Sequence, residues 1–258
     1  MSEAGVEVKL EDRPRGRTAV VTIDNQRRLN CLSTPIIVRL AAVLSDLAAE
    51  ASLRAVIITG AGDKAFIGGA DLNELGALSS DSARLFITRL HQACSAIRNC
   101  PVPVIARING YCLGAGLEIA ASCDLRAAAD HAQFGMPEVQ VGLPSVIEAA
   151  LLPGLIGWGR SREMLFTGNL YSAAEAASIG LIEKQVAAAA LDTAIADWLE
   201  AILRAGPEAI RAQKALLNRW QRVSIEEGIL AGIDALADAY KGDEPRAAIQ
   251  AFFAQKRR

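Results

Sequence analysis

The stretch Val102-Pro-Val-Ile-Ala-Arg-Ile108 runs straight into Asn109-Gly-Tyr-Cys-Leu-Gly-Ala-Gly-Leu-Glu-Ile-Ala-Ala-Ser122, and its reading decides the fold. Pro101 and Pro103 frame a short apolar run, Val102 to Ile108, of the kind found in strands covered on both faces. Glycines then turn the chain, and Leu117, Ile119, Ala120 and Ala121 begin a helix. A buried strand, a glycine turn and a helix in direct succession point to an α/β fold.

The same succession occurs upstream. Ala55-Val-Ile-Ile-Thr59 reads as a buried strand that ends in the glycine-rich segment Gly60 to Gly69, and a helix follows from about Asp81 to Asn99. Before it, Val6 to Leu10 and Thr18 to Ile23 form a hairpin across the polar stretch Glu11 to Arg17, where Pro14 and Gly16 favour a turn. Thr34 can cap a helix with Pro35 at its first position, and Ile36, Ile37, Leu40, Val43, Leu44 and Leu47 fall on one face of it. Downstream, Leu181 to Val186 is the last convincing strand. From about Ala187 alanine-rich helical segments are punctuated by Gly206-Pro207 and Gly242-Asp243. The final stretch, Ala247 to Arg258, reads as a terminal helix docked by Phe252 and Phe253, with Lys256, Arg257 and Arg258 solvated.

Composition narrows the function. In 258 residues, 27 Lys and Arg nearly balance 29 Asp and Glu, so no long-range field gathers phosphate backbones and nucleic acid is a poor partner. A small molecule is the default ligand. Nowhere do about eighteen apolar residues run without a charge, so no membrane span is expected. Five cysteines without a C-x-x-C pair suit reduced, buried thiols and a cytoplasmic home, and the acidic start carries no readable targeting signal.

Only two histidines are present, His91 in a predicted helix and His131 in a polar turn, with no ligand at metal-like spacing near either. No metal site is therefore expected. The chain has no G-x-S-x-G, and Ala115 stands where a nucleophilic serine would sit in the turn at Leu113 to Leu117. Gly60-Ala-Gly-Asp-Lys-Ala65 fits G-x-G-x-x-A after a strand, but the loop-like continuation to Ala70 lacks the helix that a pyrophosphate needs.

Two glycine-rich turns, Ile67-Gly-Gly-Ala-Asp-Leu72 and Leu113-Gly-Ala-Gly-Leu117, each precede a predicted helix. N–H groups at a helix start have no intrahelical acceptor, and two of them can form an oxyanion hole; the alternative is that these glycines serve only turns and close packing. Glu118 lies on the first turn of an otherwise apolar helix, which places its carboxyl in a low-dielectric interior, unless it is a water-exposed acid favoured by the helix dipole. Glu138, in Phe134-Gly-Met-Pro-Glu-Val-Gln-Val-Gly142, reads as structural when taken alone.

Together, Asn109 to Glu118, Ala65-Phe-Ile-Gly-Gly-Ala-Asp-Leu72 and Phe134 to Gly142 resemble the enoyl-CoA hydratase/isomerase (crotonase) family, and the likeness extends from Arg28-Leu-Asn30 through the helical tail. The resemblance implies a crotonase-type spiral of repeated ββα units over 1–195, then a helical oligomerisation region over 196–258 that assembles a homotrimer or a hexamer of two trimers. It puts the oxyanion-hole donors on the backbone N–H groups of Ala70 and Ala115, and the catalytic pair on Glu118 and Glu138. Coenzyme A, entering as part of the substrate with no separate cofactor, is expected along Arg28, Leu29, Ala70, Asp71, Leu72, Asn73 and Gly114, with Lys256 of a neighbouring subunit as a further candidate.

On this resemblance the expected reaction is hydration of a trans-2-enoyl-CoA, with Glu118 as carboxylate activating water and Glu138 serving the α-carbon. Isomerisation or another reaction of a CoA-thioester enolate uses the same hole, and a non-catalytic acyl-CoA or RNA binder is the alternative from another class. One departure stands out. After Gly142-Leu-Pro144, where small residues are usual, the chain has Ser145, Val146, Ile147 and Glu148, and Glu148 is expected on a helix surface rather than as a third acid in the pocket.

Overall fold

The computed structural model describes residues 5–256, with side chains as far as residue 254. Strands β1 (Gly5–Arg13) and β2 (Gly16–Asp24) form the expected antiparallel hairpin, which extends beyond its apolar centre, where Glu11 pairs with Lys9 and Arg13. Helix α1 (Thr34–Ala48) buries Ile36, Ile37, Leu40, Val43, Leu44 and Leu47, the predicted stripe, although Ser33 rather than Thr34 holds the cap position.

Three turns of one pattern follow. The first comprises β3 (Leu53–Gly60), β4 (Ala65–Ile67), the four-residue α2 (Leu72–Leu75) and α3 (Ser80–Asn99). The second is β5 (Val104–Ile108), β6 (Tyr111–Leu113) and α4 (Ala115–Ser122). The third is β7 (Leu125–Ala129) and β8 (Gln133–Gly135), then 3₁₀ turns at Pro137–Val141 and Ile147–Leu151 and helix α5 (Leu152–Thr167). Short β9 (Tyr171–Ser172), α6 (Ala173–Ser178) and β10 (Lys184–Val186) close the spiral.

Strands that open each turn join a sheet of order β1-β2-β3-β5-β7-β10, and strands that come second join a smaller one, β4-β6-β8-β9. The period of two explains why β3 is buried along its whole length. Val56 and Ile58 enter the main core with α1 and α3, whereas Ala55 and Ile57 face a second core built with Leu191, Ile195 and Leu199. Those three belong to α7 (Leu191–Arg204), which crosses the expected 195/196 boundary. Helices α8 (Pro207–Trp220), α9 (Ile225–Ala239) and α10 (Glu244–Lys256) complete the chain.

Buried cations tie the helices to the spiral. Lys214 of α8 donates to Asp124 (2.7 Å) and to the carbonyls of Val102 and Ile97, and Arg126 donates to the carbonyls of Ala120 and Cys123 at the end of α4. The terminal helix departs from expectation: Phe252 and Phe253 are each more than half exposed and meet edge to face. The cysteines are free, four of them buried, and among the described residues no helix is long and apolar enough to cross a membrane. The turn after Gly60 leads into β4 rather than a helix, so the G-x-G-x-x-A stretch lacks the geometry of a dinucleotide fingerprint.

Candidate active site

Parallel pairing of β4 with β6 sets the two glycine-rich turns side by side. Gly69 needs its φ of 121°, and a Cβ there would lie 3.5 Å from the carbonyl oxygen of Leu113, one residue before Gly114. The next residue after each of these glycines is an alanine. Ala70 sits in a short parallel bridge with Leu32, in which Leu32 donates to Gly69 and Asp71 donates to Leu32, so the N–H of Ala70 points to the other side. Ala115 is the first residue of α4 and avoids positive φ, as its side chain requires. Neither N–H has an acceptor among the described residues.

Both predicted acids are anchored at Gly114. Glu118 donates its own N–H to the Gly114 carbonyl (3.0 Å). Glu138 lies over the α-carbon of Gly114, closely enough that a Cβ there would come within 2.3 Å of Glu138 Oε1. Since Gly114 also has a φ of 51°, a side chain at this position would be strained and would have to displace the Glu138 carboxyl.

The whole of α4 is buried, Glu118 included at 4% exposure, and its Oε1 accepts the N–H of Ala149 at 3.3 Å. Burial pushes its pKa up to about 9; the Ala149 N–H opposes the rise, while the negative charges of Glu138 and Glu148 add to it. Burial therefore favours the protonated form of Glu118 in the empty site, whereas the sequence reading expects it to act as a carboxylate. Glu138 is half-buried, and Ser145 Oγ donates to its Oε2 at 2.8 Å.

Glu148 corrects a second expectation. It is not on a helix surface but 3% exposed, with Oε1 2.9 Å from Nδ1 of His91. The sequence reading noted Ser145, Glu148 and His91 without pairing them: Ser145 meets Glu138 seven residues earlier, whereas Glu148 and His91 are 57 residues apart.

Arg28, Leu29 and the segment from Ala70 to Asn73 meet in one place. Gly68 donates to Leu29 O (2.8 Å), and Arg28 pairs with Asp71, whose side chain also accepts the N–H of Asn73 and caps α2. Burial would raise the Asp71 pKa, but the hydrogen bonds from Arg28 and Asn73 outweigh it and hold the carboxyl below its ordinary value. Leu29 and Asn30 both adopt positive φ, and Asn30 fixes this bend by donating to the carbonyls of Ala61 and Ala65. The side chain of Lys256 lies outside the described residues.

Residues 15–258 match the enoyl-CoA hydratase/isomerase family. The chain is 31% identical to a short-chain-enoyl-CoA hydratase of Clostridium acetobutylicum over 94% of its length and 93% of that protein's. It is also 31% identical to a crotonyl-CoA hydratase of Syntrophomonas wolfei, with 93% of each covered. The crystal structure of an enoyl-CoA hydratase from Bacillus anthracis superposes with a TM-score of 0.91 at 31% identity, covering 97% of this chain and 96% of that one. On the sequence match and the shared spiral alike, the chain belongs to the enoyl-CoA hydratase/isomerase family.

Proposed function

We infer that the protein is an enoyl-CoA hydratase, a lyase that adds water across the 2,3 double bond of a trans-2-enoyl-CoA. The observation that supports this reading is a buried acid, Glu118, within electrostatic reach of Glu138, whose Oε1 lies against the α-carbon of Gly114, beside the unpaired N–H groups of Ala70 and Ala115. In the reaction the thioester oxygen accepts from both N–H groups as enolate charge builds on it, and one such donor is typically worth about 2.7–4 kcal/mol.

The proton inventory follows from the electrostatics. Glu118 enters with the proton, and Ser145 donates to Glu138. A water bridging the two carboxyl groups relays that proton from Glu118 to Glu138 and leaves Glu118 ionised. Glu118 then takes a proton from the water as its oxygen bonds to the β-carbon, and Glu138 delivers a proton to the α-carbon. The two acids finish with the single proton they began with. Chemistry of this kind uses no metal or nicotinamide, and coenzyme A arrives with the substrate, its polar end at Arg28 and Leu29 and its thioester arm along 70–73.

The partner in assembly is a second and third copy of the chain. A groove of about 560 Å³ on α8 and α9, lined by Trp220, Ile225, Ile229, Ile233 and Leu236, is apolar and open in the single chain, as a helical trimer contact would be. A panel of CoA thioesters, with products detected by mass, tests the reaction. A gain of one water on crotonyl-CoA or a longer 2-enoyl-CoA is expected, and a product of unchanged mass with a moved double bond would replace hydration by isomerisation.

A further inference from the structure

Glu148 has no part in the reaction as written, yet the chain goes out of its way to bury it. Its Oε2 has no hydrogen-bonding partner among the described residues, which is costly for a carboxyl group at 3% exposure. The residue before it, Ile147, holds a φ of 38°, a left-handed conformation that β-branched side chains resist. The residue after it, Ala149, donates its N–H to Glu118 Oε1. One strained turn therefore both buries Glu148 and grips the catalytic acid.

The groups facing Glu118 come from three elements. The 137–141 turn brings Glu138, the 147–151 turn brings Glu148, and α3 brings Cys94 and, beyond Glu148, His91. Cys94 is a neutral thiol, since burial keeps its pKa high. His91 is half-exposed on α3, so it reaches Glu148 from the solvent side.

We propose that the His91–Glu148 pair is a positioning device for Glu118: His91 fixes the Glu148 carboxylate, whose free oxygen accepts the Glu118 proton, directly or through one water, and so orients the catalytic acid. Its kinetic consequences rest on the hydratase reading, but the contact itself belongs to the empty enzyme and can be read without turnover. Glu118 is held by two groups at once, the Ala149 N–H on one oxygen and Glu148 on the other, and it keeps its proton until water bridges to Glu138.

The test compares wild type, Glu148→Gln, His91→Gln and the double variant. Steady-state rates with crotonyl-CoA are measured across pH, and the infrared carboxyl stretch of Glu118, assigned by its loss in Glu118→Gln, is followed in the empty protein. Glu148→Gln is expected to lower kcat about tenfold with KM little changed. It should also shift the Glu118 band and move loss of the Glu118 proton to lower pH, because a negative neighbour has gone. His91→Gln should act in the same direction on kcat and on the band but less strongly, and the double variant should be no worse than Glu148→Gln, since the pair acts as a unit. If Glu148→Gln does not fold, His91→Gln at its half-exposed site carries the same readouts. An unchanged kcat and an unchanged band, or fully additive losses, would overturn the proposal. A band shifted by Glu148→Gln, in a protein whose wild type hydrates no enoyl-CoA, would support the pair and remove the hydratase reading.

Discussion

The buried carboxyl of Glu118 bears on stability as well as on the proposed reaction. Its pKa is raised from an ordinary 4.5 to about 9, so between those values the folded chain holds a proton that the unfolded chain releases. The stabilising contribution is full below the lower value and is lost as pH rises towards the upper one, at no more than about 1.4 kcal/mol per pH unit. Glu118→Gln removes that loss, so its melting temperature relative to wild type should climb from acidic to mildly alkaline pH; a constant difference would show that Glu118 is ionised in the folded protein. Gly114→Ala should lower kcat by at least about tenfold and also destabilise, because the new Cβ meets both a positive φ and Glu138 Oε1. The burial of Glu118 was legible from Leu117, Ile119, Ala120 and Ala121 around it. The inward turn of Glu148 was not, since Ile147, Ala149 and Ala150 read as ordinary helix and the His91 partner stands 57 residues away.

Elements whose side-chain pattern spans several residues could be read in advance, and shorter ones could not. The stripe of α1 and the buried run of β3 carry enough residues for a period to show. By contrast β4, β6 and β8 have three residues each, and only their place between glycine turns marks them. The helix expected from about Asp81 to Asn99 is α3, whereas the single turn α2, whose start is fixed by the Asp71 side chain, was too short to show a period. Asp71→Ala should therefore cost about 1 kcal/mol as a lost cap and also release Arg28 and the loop that carries the Ala70 N–H, lowering kcat/KM for every thioester tested. Stability lost with kcat/KM intact would mean that this loop is positioned from elsewhere. Lys214→Met should destabilise by about 2–3 kcal/mol, less than a fully buried pair because Asp124 keeps some water. Thermal unfolding measures that loss, and an unchanged melting temperature would show that α8 is held by other contacts.

Across the whole molecule the apolar surface is unevenly distributed. Ile225, Ile229, Leu230, Ile233 and Leu236 of α9 are each at least 60% exposed, far more than a surface helix of an isolated chain should leave in water. Sedimentation should find the wild type as a trimer or a multiple of one, and Ile229→Asp with Ile233→Asp should yield smaller species. A wild-type monomer would contradict the assembly. An all-helical tail was readable from alanine content, whereas its unpartnered face was not, because a row of apolar residues looks the same whether its own chain or a neighbour covers it. The spiral core places the acids and the N–H groups within one chain, so chemistry and assembly can be tested separately. The most direct measurement is the incubation of crotonyl-CoA in water labelled with heavy oxygen, with wild type, Glu118→Gln and Glu138→Gln compared under saturating substrate. The account predicts one heavy oxygen on the β-carbon of the product and a rate lowered about 10²–10⁴-fold in each variant; unlabelled product, or undiminished rates in both variants, would contradict it.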